Sequence, residues 1–357
     1  MTSLTDQKMK ISIQPRVIEA NSSDPYKYDL LNRKSMADVL TNLVQFIDDS
    51  AVIAVDGEWG SGKTTFLRMW SQQLRKNGIP VVMFNAWETD FSSDPLIVLT
   101  SELLNGFQEY SSASTLKTLK EKSKFLVEKL IVSNLTRLVR LSTGGLLEID
   151  QELLKQLGQA NTAISSDRLR QYAEGLSAIK EFKSALENTV GCLSNNEERL
   201  SVVILVDELD RCRPTYAIEL LEAAKHLFSA RGVIFVLGVN TSQLVCSVNA
   251  LYGSKFDSIE YLKRFFNLDV RLPSASTAQI VEHTLKSLGI DSITPLIPHS
   301  MGPTARSNMR ELLSDFFDLR RLDYRSVEQA LRRLGLVFHS LEPGREAWRP
   351  FLVVLLI

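Results

Sequence analysis

Residues Gly57-Glu58-Trp59-Gly60-Ser61-Gly62-Lys63-Thr64 fit the spacing G-x-x-x-x-G-K-[ST], and each fixed residue type has a task in holding a polyphosphate. Glycines let backbone N–H groups turn inward around anionic oxygens. Lys63 suits neutralisation of β- and γ-phosphates, and the Thr64 hydroxyl is a hard ligand for Mg²⁺. The helical-looking stretch from Thr65 adds the positive end of a helix dipole. This is a Walker A pattern, so Gly57 to Thr65 are the expected nucleotide contacts, and a chance Gly-rich turn is disfavoured by the strand and helix that flank it.

A magnesium nucleotide needs a second carboxylate site, and Ser201-Val202-Val203-Ile204-Leu205-Val206-Asp207-Glu208 supplies one where an apolar strand ends. Asp207 is placed to hold Mg²⁺ through water, and Glu208 to polarise the attacking water. A solvated Asp-Glu pair is common by itself. After a Walker A loop and a six-residue apolar strand, the Walker B reading is the stronger, and an intact Glu208 argues for hydrolysis over binding alone.

The elements that must position these residues alternate in type. Leu31, Met36, Val39, Leu40, Leu43, Val44 and Ile47 recur at helical spacing, whereas Ala51–Val55, Ile79–Phe84, Ser201–Val206, Val233–Val239 and Asn267–Leu272 are short apolar runs of buried-strand type. Helices are expected from Thr65, over Leu96–Phe107 behind Asp94-Pro95, and over Tyr216–Phe228. Apolar strands alternating with helices predict an α/β fold with a parallel sheet sandwiched by helices. From about 110 to 198 strand signals vanish, and Leu126, Leu130, Leu135, Leu138 and Leu141 keep roughly helical spacing. The predicted organisation is a flexible arm over 1–23, a first core part over 24–109, a helical insertion over 110–198, the Walker B part over 199–273, and a C-terminal helical lid over 274–357. Met309–Phe317 and Tyr324–Leu334 are the clearest lid helices. The closing run Phe351 to Ile357 reads as an element cut short or a buried terminal element.

Composition narrows the class. The 357 residues carry 41 Lys+Arg against 42 Asp+Glu, so no global field draws the chain to nucleic acid or anionic lipid. Nucleic acid is therefore not indicated as a partner, although a nucleic-acid-stimulated motor stays open as an alternative. Three scattered cysteines with no CxxC pair argue against a disulfide framework, and the polar N-terminus lacks an apolar signal core. No apolar run is long enough for a membrane span, the insertion being interrupted by Lys129, Arg137 and Arg140, so a cytoplasmic setting is expected. His226, His283, His299 and His339 show neither metal spacing nor a nucleophile partner.

Val206-Asp207-Glu208-Leu209-Asp210-Arg211-Cys212-Arg213-Pro214 resembles the hallmark of the KAP family of P-loop NTPases, whose members include a neuronal membrane scaffold and a plasmid phage-exclusion protein. Gly57–Phe66, Phe84–Glu88, Val236–Asn240 and Glu260–Arg264 fall in the family's order, and the resemblance runs from about residue 24 to the end. It implies an ASCE/STAND-like NTPase with ATP and Mg²⁺ as cofactors, acting as the ATPase component of a bacterial antiphage or plasmid-exclusion system. It further implies a homo-oligomer and a protein partner from a defence operon. A slow-turnover switch or scaffold is the alternative reading. By this resemblance Asp210 and Arg211 are a family signature suited to closing the site. Asn240 is a sensor-like nucleotide contact, although relatives more often carry Asp there. Many relatives place transmembrane helices between the Walker motifs; the charged insertion here resembles the soluble bacterial kind.

Three arginines are candidates for stabilising charge on the transferring phosphoryl group, Arg211 beside Walker B, Arg264 and Arg325, and the last two join Lys63, Asp207 and Glu208 as catalytic candidates, with surface ion pairing as the competing explanation. Arg264 precedes a strand where related ATPases place a finger reaching a neighbouring subunit, and Arg325 opens a lid helix and resembles a sensor arginine. Arg320, Arg321, Arg332 and Arg333 read as a solvated face. Asp29-Leu30-Leu31-Asn32-Arg33 resembles the segment that lies against adenine in related NTPases, or serves as a helix cap. Trp59 and Trp87 read as packing residues.

Overall fold

The computed structural model describes residues 24–27, 29, 31–92, 94–133, 163–193, 201–273, 275–288 and 309–340. The expected arm over 1–23, the leucines Leu135, Leu138 and Leu141, and the closing apolar run lie outside them. The chain forms two units. One comprises Glu58–Thr65 together with described residues up to Lys34 and from Leu272 onward; the other comprises Ser35–Gly57 and Phe66–Arg271.

In chain order the elements are α1 (Lys34–Phe46), β1 (Ala51–Asp56), α2 (Lys63–Lys76), β2 (Val81–Asn85), α3 (Pro95–Phe107), α4 (Ala113–Ser133), α5 (Ala163–Leu193) and β3 (Val202–Asp207). They continue with α6 (Pro214–Phe228), β4 (Val233–Val239), α7 (Thr241–Tyr252), α8 (Ser258–Lys263), β5 (Leu268–Arg271), α9 (Thr277–Ser287), α10 (Met309–Leu319) and α11 (Tyr324–Ser340). Among the described residues, the strands and helices expected from periodicity are present, with ends shifted by a few residues. Helix α3 begins at Pro95 because the Asp94 carboxylate caps the Leu96 and Ile97 N–H groups and proline is suited to the first helical turn.

Among the described residues five parallel strands form one sheet in the order β2-β3-β4-β1-β5. Residues of β3 and β4 are buried along their whole length, which is why both strands are continuous apolar runs and not alternating ones. Strand β5 differs: Leu268, Asp269 and Arg271 are exposed at the sheet edge, where only one neighbour is needed. Asn267 fastens it, its Oδ1 accepting from the Val52 N–H at 2.8 Å. Registers Asp56↔Val239 and Asp207↔Gly238 set the C-terminal ends of β1, β3 and β4 level with one another. In open parallel sheets that edge is where ligands bind.

Helices α4 and α5 run antiparallel, as the ion pairs Lys122–Glu181 at 2.9 Å and Lys129–Glu174 at 2.7 Å require. The sequence suggests an insertion whose leucines seek a partner surface. Leu119 and Leu126 instead join Phe182, Leu186 and Val190 in the same core as the sheet. Burying such side chains contributes roughly 1.5–3 kcal/mol each, so these positions are spent on folding. Among the described residues no helix is long and apolar enough to cross a membrane.

The other unit has its own core, in which Val281 and Leu285 of α9 meet Leu313 and Phe317 of α10 and Val327, Leu331 and Leu334 of α11. Helix α9 opens with a capping box in which Ser276 and Gln279 satisfy each other's backbone N–H groups. Asp323 opens α11, its Oδ1 accepting from the Ser326 N–H at 2.7 Å.

Candidate nucleotide site

The phosphate loop leaves β1 at Gly57, whose N–H donates to the Val239 carbonyl at 3.1 Å and so anchors the loop's first residue to β4. Gly60 and Gly62 take left-handed backbone angles, φ +81° and +83°, which side-chain-bearing residues adopt with strain. The Ser61 N–H closes a turn onto the Glu58 carbonyl at 3.1 Å, and Lys63 Nζ donates to that same carbonyl at 3.3 Å. Helix α2 starts at Lys63, so the lysine, Thr64 and Thr65 occupy its first turn, where N–H groups lack intrahelical partners and the dipole is positive. Glu58 and Trp59 are exposed, Trp59 at 42 %.

Two flanking segments bear on this loop. A Cβ added at Gly60 would meet Tyr324 Cδ1 at 3.2 Å and the Arg325 N at 3.4 Å, so the start of α11 lies against the loop. On another side Arg33 donates to the Ser61 carbonyl at 2.5 Å, the Gly62 carbonyl at 3.2 Å and the Pro273 carbonyl at 3.0 Å. The sequence singles out Arg325 as a sensor candidate, whereas Arg33 enters only as the last residue of a segment suited to adenine. The segment does supply a cap: Asp29 Oδ2 accepts from the Lys34 N–H at 2.9 Å.

In the unit that carries the sheet, Asp207 ends β3 and is 2 % exposed, with its Oδ1 accepting the Glu208 N–H at 2.9 Å. Gly238 on the neighbouring strand makes room for it, since a Cβ there would stand 3.0 Å from Asp207 Oδ1 and 2.6 Å from Leu67 Cδ1. Glu208 takes a left-handed backbone angle, φ +60°, where the chain leaves β3. Arg211 Nη1 pairs with Glu208 Oε1 at 2.5 Å, while Asn85 Nδ2 donates to Glu208 Oε2 at 3.0 Å. Both carboxylate oxygens are engaged. Asn85 is a contact that sequence reasoning missed as a site residue, although it lies inside the family-like stretch Phe84–Glu88. Arg211 also sits over the half-exposed Trp87 ring, 5.8 Å from its centroid, so that tryptophan serves a cation and not only packing.

A cavity of about 360 Å³ opens beside Asp207, lined by Arg68, Asn85, Glu88, Thr89 and Glu102 among others. Burial, and secondly the charge of Glu88, push the Glu102 carboxyl above its ordinary range. The Cys212 thiol is pushed up to about 12 by burial and by Asp90, Asp210 and Glu208, so it is inert toward electrophiles at neutral pH. Asn240 caps α7, its Oδ1 accepting from the Gln243 N–H at 3.3 Å; the Nδ2 amide is the part of that side chain suited to an anion. Arg264 is exposed at the C-terminal cap of α8, and Arg325 is exposed in the first turn of α11. The structure thus brings Gly57, Asp207, Glu208 and Asn240 to one sheet edge, and the start of α11 to the phosphate loop.

Asp207, a buried carboxylate at the end of β3, and Thr64, a hydroxyl in the first turn of α2, are each an oxygen donor of the hard type that Mg²⁺ prefers. Among the described residues no group of three or more His, Cys, Asp or Glu is placed to hold a metal by itself.

A glycine loop that feeds a helix from a central parallel strand, with an acidic pair at the end of a second strand, defines a P-loop nucleotide-binding domain. The model of the KAP family P-loop domain matches residues 33–301, and the chain belongs to that family. No curated protein matches it. Similar solved structures include the Aeropyrum pernix ORC2 protein in its ADPNP–ADP complexes, 13% identical with a TM-score of 0.37, covering 72% of this chain and 52% of that one. Caenorhabditis elegans PCH-2 is 10% identical with a TM-score of 0.36 over 96% of this chain and 72% of that one. The Escherichia coli MS115-1 HORMA:CdnC:Trip13 complex gives 10%, 0.34, 87% and 91%. The chain spans about half the length of the first of these.

Proposed function

We propose that this protein hydrolyses ATP with Mg²⁺. The observation that carries the reading is the register that sets Asp207 and Gly57, the root of the phosphate loop, at the level C-terminal ends of β3 and β1, with Glu208 next in the chain. In this proposal Lys63 and the amides of the loop bind the phosphates, and Thr64 and Asp207 hold the ion. The ion, when bound, neutralises developing charge on the phosphoryl oxygens. Glu208 orients water and takes its proton, and the Nδ2 amide of Asn240 supports a phosphate oxygen. Phosphate release from ATP should require Mg²⁺ and stop on chelation. Tight ATP binding without release would leave only the switch reading, and absence of binding would remove both.

The switch reading has one observation in its favour: Arg211 and Asn85 each bond one Glu208 oxygen and so fix the orientation of the carboxylate that would serve the attacking water. Where that orientation does not suit the water, turnover is slow. Family membership supports a wider setting in phage or plasmid exclusion, in which ATP drives assembly of a homo-oligomer or signals to a protein partner. A pull-down from phage-infected cells that recovers no partner would count against that setting.

The exposed arginines are assigned by the same proposal, Arg264 as a finger acting on a neighbouring subunit and Arg325 as a sensor acting within its own. The approach of the α11 backbone to Gly60 supports the second assignment. Mixing inactive Lys63→Ala with inactive Arg264→Ala should restore part of the ATPase activity, because some junctions combine an intact loop with an intact finger. Lys63→Ala mixed with Arg325→Ala should restore none. The opposite pattern of complementation would exchange the two roles.

A further inference from the structure

We propose that Arg33 is a positioning residue for phosphate binding, its forked guanidinium holding the phosphate loop so that the Gly62 and Lys63 amides face the ligand. The inference rests on the nucleotide reading above and adds a residue from outside both Walker motifs.

Arg33 is 2 % exposed, and its three hydrogen bonds all go to backbone carbonyls: Ser61, Gly62 and Pro273. Burial lowers its pKa to about 10, so it still carries its charge at neutral pH. A buried guanidinium is costly to desolvate, and hydrophobic packing of equal volume often does as well for stability. What the arginine adds is direction. The peptide unit is planar and trans, so each C=O points opposite to the N–H that follows it. Holding the Ser61 carbonyl therefore turns the Gly62 N–H away from Arg33, and holding the Gly62 carbonyl does the same for the Lys63 N–H. Both amides then converge on one side of the loop, together with the N-terminus of α2. Two donors at the fixed spacing of one planar group set two peptide planes at once, which a single ammonium cannot do.

The surroundings are shaped for this. A Cβ at Gly62 would come 3.0 Å from Arg33 Nη1, so the glycine admits the guanidinium as well as the positive φ. Asn32 precedes it in the left-handed region at φ +51°, a conformation asparagine tolerates, and Asp29 caps the helix that begins one residue later. Nη2 also holds the Pro273 carbonyl, where the chain enters the segment leading to α9. The same guanidinium thus joins the loop to the root of the C-terminal helices.

The test is binding of ATP, ADP and AMP to the full chain by calorimetry. Arg33→Ala should weaken ATP and ADP at least tenfold and leave AMP, which lacks the β-phosphate, within twofold. Arg33→Lys keeps the charge but not the fork and should not restore affinity, whereas millimolar methylguanidinium should partly restore it to Arg33→Ala. A merely stapling role would lower the melting temperature and weaken all three nucleotides alike. Parental ATP affinity in Arg33→Ala, or full recovery in Arg33→Lys, would overturn the proposal. If Arg33→Ala fails to fold, Arg33→Lys decides alone, a tenfold loss being the expected result. Should the parent itself fail to bind ATP, or Lys63→Ala bind it as the parent does, the nucleotide reading fails instead.

Discussion

Lys63→Ala is expected to lower ATP affinity by about a thousandfold and to abolish measurable hydrolysis. An ammonium about 4 Å from a phosphate charge, near a protein surface with an effective dielectric of about 20, contributes about 4 kcal/mol. Lys63 is 8 % exposed, so screening by solvent does little to reduce that figure. The loss should be larger for ATP than for AMP, because the lysine serves the β- and γ-phosphates. Folding should survive, since the residue begins α2 and alanine is the strongest helix former. Calorimetry with a thermal melt as control settles it, and unchanged affinity would mean that the loop is not the phosphate site.

Glu208→Gln separates binding from chemistry. The amide keeps the shape and the left-handed turn at φ +60°, but it cannot take a proton from water. General-base catalysis contributes roughly 10²- to 10⁴-fold, so turnover should fall by about that range while ATP affinity stays near the parent's. Glutamine can still accept from one of Arg211 and Asn85. The ion pair it gives up is partly solvated, with Arg211 at 31% side-chain exposure, so its loss costs about 1 kcal/mol or less. Steady-state phosphate release is the measurement. Turnover at the parental rate would make Asp210 or another carboxylate the base, and would remove the Walker B assignment of Glu208.

The parts of this protein that were legible in the amino-acid sequence are those whose physics is contiguous in the chain. A loop that cradles phosphate with its own amides must carry its glycines, lysine and threonine within one short stretch, and Gly57 to Thr64 announce themselves for that reason. The buried strands Val202–Asp207 and Val233–Val239 are equally plain, because covering both faces demands an unbroken apolar run. The family signature around Asp207 is local in the same way. Strand order was decided only in three dimensions: β2 lies at the far edge and β3 and β4 fill the space beside β1, a choice set by which helical faces can be buried together. So was the use of Leu119 and Leu126, whose helical spacing says that they need a surface but not that Phe182 and Leu186 provide it. Arg33 bonds to residues 28, 29 and 240 positions away, and Asn85 reaches a carboxylate 123 positions away. No periodicity or spacing reports such pairs, because a hydrogen bond between distant residues depends on where the whole chain has placed two atoms, and only the packed fold holds them there.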